Sequence, residues 1–119
     1  MTIPQFLLIL LCVLGISAGQ ILFKLAALAL PKTDAGLLSL GIKLALNPYL
    51  LVGLTIYMSA TVLWIWMLRE VPLNLAYPLM ALAFLFVPLL GFFILGEPLQ
   101  RATFIGSAMI ILGVYVIVK

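Results

Sequence analysis

The stretch Phe6 to Lys24, FLLILLCVLGISAGQILFK, holds a mostly apolar run that ends at Phe23 and carries no charge until Lys24. A helix needs about 20 mostly apolar residues, rising about 1.5 Å each, to cross a bilayer. Three further runs of the same kind follow after short polar breaks. Together they predict helices over about residues 4–30, 48–69, 73–95 and 99–118, with an apolar segment at 35–46 too short to span. The expected fold class is an all-α membrane protein of four transmembrane helices, a single transmembrane domain over residues 1–119.

Composition agrees. In 119 residues, 67% hydrophobic and 8% charged, there is more apolar surface than a soluble domain of this size can hide. The net charge of +3 comes from residues near the predicted helix ends, which draws the protein to anionic lipid and makes no case for nucleic acid. With no histidine, one cysteine and three acidic residues, a metal site, an internal disulfide and a nucleophile beside a base all lack their parts. A non-enzymatic protein without a cofactor is expected, and Cys12 reads as a small packing residue. The small residues of Ile16-Ser17-Ala18 also suit a cleaved signal peptide. No Lys or Arg precedes the run, however, and it continues to Phe23, so it reads as a retained helix.

Within that first helix lies a polar stripe. Gln20 and Lys24 are four apart, one above the other on a helix, and Ser17 stands three before Gln20. Polar groups in lipid are costly and face a bundle interior, a wet cavity or a partner, which makes the stripe a candidate site. Lys24 alone has an equal second reading, a lysine snorkelling to the head groups.

Along the chain, Pro31-Lys32-Thr33-Asp34 breaks the first helix, and the 35–46 segment reads as a short helix at the interface or tucked against the bundle. Asn47-Pro48 ends it and suits the start of the second span. There Thr55, Ser59 and Thr61 can bond their own backbone. Trp64 and Trp66, two apart, face opposite ways, so one points to lipid and the other inward. The third span carries Pro78 and Pro88, each removing a backbone hydrogen bond, and reads as bent or hinged. Glu97 and Arg101 can pair at an interface, where such a pair contributes only a few tenths of a kcal/mol. In the fourth span Ala102, Gly106 and Gly113 offer a small-residue face for a second copy or a related subunit.

The order of Gly19-Gln20, Lys24, Val71-Pro72, Ala76-Tyr77-Pro78, Pro88, Gly96-Glu97-Pro98 and Gly106…Gly113 resembles the small four-helix members of the drug/metabolite transporter superfamily, EamA-like and small multidrug resistance-like. The resemblance covers roughly three quarters of the chain and implies a small multidrug resistance-like bundle working as a dimer. Proton-coupled exporters of that group carry a glutamate eight residues before the lysine of helix one. Ile16 stands there in this sequence, and the first helix has no acidic residue. Gly-Gln-x-x-x-Lys and Ala-Tyr-Pro are instead similar to the small subunits that flip undecaprenyl-phosphate-linked aminoarabinose across the bacterial inner membrane. That likeness implies a lipid-linked sugar or polyprenyl phosphate as cargo. Lys24 would meet the phosphate, Gln20 and Ser17 would hydrogen-bond oxygens, and Tyr77, Trp64 or Trp66 would stack on the sugar.

Four helices are few to enclose a polar head group, so a homodimer or a heterodimer with a related small subunit is expected, an antiparallel pair supplying inverted symmetry. Lys24, Lys32, Lys43 and Arg101 on one side against Arg69 and Lys119 on the other lean toward both termini outside. Glu97 is the one weak candidate for ion coupling. Two alternatives stand beside the flippase: an exporter of small cations or polar metabolites, and a non-transporting partner subunit of a membrane complex.

Overall fold

The computed structural model describes residues 2–30 and 36–119. The break expected at residues 31–34, with Lys32, and the start of the short segment at 35 lie outside them. Among the described residues the chain is helical, and four stretches are long and apolar enough to cross a membrane.

The first span, α1 (Ile3–Ala29), starts from a reciprocal cap. The Thr2 hydroxyl accepts from the Gln5 N–H (3.4 Å) and the Thr2 N–H donates to Gln5 Oε1 (3.0 Å), with Pro4 in the first turn. Gln5 Nε2 also donates to Glu70 Oε2 (3.3 Å), tying the start of α1 to the connector that follows the second span. A short helix, α2 (Leu37–Ala45), buries none of its residues and contacts the helix that follows it. The second span, α3 (Pro48–Met67), is capped by Asn47, whose side chain accepts from the Tyr49 N–H at 2.9 Å. Asn47 is buried and its Nδ2 donates to the Ala26 carbonyl at 3.3 Å, which pins the start of α3 to the last turns of α1. The two helices therefore run antiparallel.

Their contact is the tightest in the molecule, and glycines make it so. A Cβ on Gly15 would stand 3.1 Å from Ala60 Cβ, and one on Gly53 would stand 3.0 Å from Leu22 Cβ. Gly15 and Gly19 are four apart on α1, the spacing that lets helix backbones approach in lipid. The close packing inside the chain is thus made by Gly15, Gly19 and Gly53. At Gly106 and Gly113 nothing among the described residues lies within 4 Å of an added Cβ, and Ala102 and Gly113 are exposed, so among those residues the face they form is open.

The third span, Leu73–Leu95, is not one regular helix. It runs as α4 (Leu73–Leu79, containing Pro78), a 3-10 turn at Met80–Leu82, α5 (Ala83–Leu90, containing Pro88) and a π turn at Gly91–Leu95. Each proline lacks an N–H and crowds the carbonyl four residues back, and the altered turn follows within a few residues. Gly96, at φ 70°, stops the helix in the left-handed region, and the Glu97 N–H bonds the Gly91 carbonyl at 3.2 Å. The fourth span, α6 (Arg101–Val118), meets α4 and α5, and its buried Ser107 hydroxyl reaches the Phe84 carbonyl at 3.5 Å.

The core is small: Ile9, Val13, Met67, Val71, Ala76, Leu79 and Val114, with Cys12 buried beside it. Large apolar side chains such as Leu7, Met58, Phe93 and Met109 are exposed on every span, which suits a surface facing lipid. Three hydroxyls of α3 are satisfied within their own helix, Thr55 bonding Leu51 O (2.9 Å), Ser59 bonding Thr55 O (2.8 Å) and Thr61 bonding Tyr57 O (2.8 Å).

Candidate functional site

A cleft of 560 Å³ opens between α1, α3 and the broken third span, and Gln20, Tyr57, Tyr77, Pro78 and Phe84 are among its walls. Gln20 is exposed on α1 and Tyr77 is exposed at the end of α4, so their polar ends are free to meet a ligand. Tyr57 faces them from α3. Its ring lies 5.8 Å from that of Phe23, centroid to centroid, and packs so closely over Gly19 that a Cβ there would touch Tyr57 Cδ2 at 3.2 Å. The glycine that lets α1 and α3 approach therefore also seats an aromatic wall of the cleft.

Lys24 lies one helical turn beyond Gln20, about 6 Å along the axis, and is exposed. The stripe is shorter than the spacing suggests, because Ser17 is fully buried and its hydroxyl donates to the Val13 carbonyl at 2.7 Å. Ser17 turns into the helix contact, and its one proton is committed. Trp64 packs against the core whereas Trp66 is half exposed, so the pair divides between interior and lipid. Neither is among the walls of the cleft.

The two prolines bound two adjoining spaces. Pro78 lines the cleft just described, and Pro88 lines a second of 360 Å³ with Ala83, Phe84, Val87 and Gln20. Glu97 is exposed beyond the π turn, its Oε1 folded to within 3.0 Å of where a Gly91 Cβ would stand. That position is at the far end of the third span, away from Tyr77.

Tyr57 was not singled out from the sequence, nor was the role of Asn47. The available signal for Tyr57 was Gly15-x-x-x-Gly19, which marks the α1 face that a neighbouring helix must approach.

A multi-pass membrane protein with a cleft between its spans that carries Gln20 and two tyrosines, and an irregular proline-containing helix along one wall, has the build of a membrane transporter. The chain belongs to the EamA-like transporter family, whose model matches residues 14–119. It is 33% identical over 110 residues to the probable 4-amino-4-deoxy-L-arabinose-phosphoundecaprenol flippase subunit ArnE of Sodalis glossinidius (strain morsitans), covering 92% of this chain and 93% of the relative. To the probable flippase subunit ArnF of Aeromonas salmonicida (strain A449), named for the same lipid, it is 34% identical over 116 residues, 93% of this chain and 76% of the relative. The ArnE of Enterobacter sp. (strain 638) is 35% identical over 66 residues, 56% of this chain. In that relative and two more like it the chain spans 62%, 49% and 47% of the relative's own length. No solved structure matches the chain.

Proposed function

We propose that the protein is a flippase subunit that moves a polyprenyl-phosphate-linked sugar, such as an undecaprenyl-phosphate aminosugar, across the bacterial inner membrane. The observation that carries this reading is the cleft that joins Gln20, Tyr57 and Tyr77 between the spans, with the Lys24 cation one turn beyond. A lipid-linked sugar brings a phosphate and several hydroxyls to a place with no water to solvate them. Lys24 answers the phosphate as a point charge. The Gln20 amide and the two phenols donate to and accept from the hydroxyls, and the tyrosine rings offer apolar faces to the sugar. No bond of the substrate is broken. The relatives named above are flippase subunits for such a lipid, which favours cargo of this class over a soluble cation.

One chain leaves the cleft open on the side of the exposed Gln20 and Tyr77. A second small subunit, identical or related, would close it, and the open face at Ala102, Gly106 and Gly113 is where we place that contact. The bent third span, with Pro78 and Pro88 beside the cleft, is the element we assign to hinging.

The test is binding of undecaprenyl phosphate, bare and sugar-linked, to the purified protein in lipid nanodiscs, compared with Lys24→Ala. Saturable binding that weakens about tenfold or more in the variant is expected for loss of a charged partner. Equal binding by both proteins would remove Lys24 from the site, and no binding by either would leave the cation exporter or the non-transporting subunit.

A further inference from the structure

The two spaces along the third span differ in chemistry yet share Gln20, Ala83 and Phe84. The larger is walled by two tyrosines. The smaller continues along Val87 and Pro88, and among the described residues Gln20 is its single polar one. Their heights can be read from the helix directions. The Gln5–Glu70 bond puts the starts of α1 and the third span on one side, so the two run parallel. Lys24 lies one turn beyond Gln20, and Val87 and Pro88 lie about one turn beyond Phe84. Lys24 and the apolar groove therefore stand at one level, and Tyr77, ten residues before Val87, stands about three turns below it.

Resting on the flippase reading, we propose that the adjoining spaces bind one lipid in two parts. The sugar enters the Gln20–Tyr57–Tyr77 cleft, the phosphate sits between Gln20 and Lys24, and the first isoprene units of the tail lie in the groove along Phe84, Val87 and Pro88. The change from polar to apolar walls occurs at Gln20, where the ligand itself changes from head to tail. Bulk lipid is as apolar as the groove, so the groove gains nothing from hydrophobicity alone. It discriminates by shape, because methyl-branched, kinked isoprene units make van der Waals contacts along Phe84, Val87 and Pro88 that a straight alkyl chain does not.

The experiment compares farnesyl phosphate with dodecyl phosphate, which share a head group and a similar main-chain length, binding to the full chain in nanodiscs. Affinities are expressed per mole fraction of lipid, so that partitioning cancels. Farnesyl phosphate is expected to bind about fivefold more tightly, and Val87→Trp, which fills the groove, is expected to abolish the difference. The wild-type comparison stands whether or not that variant folds. Equal affinity of the wild type for the two phosphates overturns the tail site alone, as does a preference that survives in a folded Val87→Trp protein. If neither phosphate nor undecaprenyl phosphate binds, the flippase reading itself fails.

Discussion

Replacing Gly53 by alanine tests the closest helix contact and, through it, the seat of the cleft. The added Cβ would stand 3.0 Å from Leu22 Cβ and 3.1 Å from Phe23 Cε1, against 3.4–4 Å for ordinary contact. Leu22 Cβ is fixed to the α1 backbone and cannot swing aside, so α1 and α3 must part by a few tenths of an ångström. The Phe23 ring can turn, but it lies 5.8 Å from the Tyr57 ring and would carry the disturbance to the cleft wall. Overpacking of this kind costs about 1–3 kcal/mol, which is about 5- to 150-fold in the folding equilibrium. Reversible unfolding in mixed micelles, followed by tryptophan fluorescence, measures it. The control is Gly106→Ala and Gly113→Ala, where nothing among the described residues lies within 4 Å of the new methyl. In the isolated chain these two leave stability unchanged. A Gly53→Ala protein as stable as the wild type would refute the packing described for α1 and α3. Destabilisation or a loss of dimer in Gly106→Ala or Gly113→Ala would show that a second chain packs on α6.

Three further outcomes are expected. Asn47→Ala removes both the bond to the Ala26 carbonyl and the cap of α3, lowering stability by about 1–2 kcal/mol, and a thermal melt of the detergent-solubilised protein checks this. Tyr57→Phe keeps the ring against Phe23 and Gly19 but lacks the hydroxyl. It should fold normally and weaken sugar-linked more than bare undecaprenyl phosphate in competition binding, and an equal effect on both would take the hydroxyl away from the sugar. Pro78→Ala returns an N–H to the third span and should raise thermal stability while slowing transport in reconstituted vesicles. A faster variant would remove the hinge role.

The membrane class and the four spans follow from composition and run length, because a chain with so few polar residues has no other solvent in which to place its side chains. Gln20 and Lys24 were legible for the same reason: a polar residue inside such a run stands out against lipid. That Trp64 and Trp66 divide between interior and lipid was also legible, since two positions on a helix lie on opposite faces, whereas which of them turns inward was not.

Other features depended on which helix lies against which. Ser17 shares a stripe with Gln20 by spacing, yet it is buried, because the α1 face toward α3 takes in the serine together with Gly15 and Gly19. Asn47 reads as a break in the sequence and acts as a tie to Ala26, a carbonyl 21 residues away. Tyr57 does not stand out in its own helix, where Thr61 lies one turn on and bonds its carbonyl; only the close approach of α1 and α3 turns it toward Gln20 and Tyr77. Local patterns report the cost of placing a residue in lipid or water, which the residue carries with it. The meeting of Gln20, Tyr57 and Tyr77 in one cleft is set by long-range helix contacts, and those exist only once the glycine-lined faces have closed.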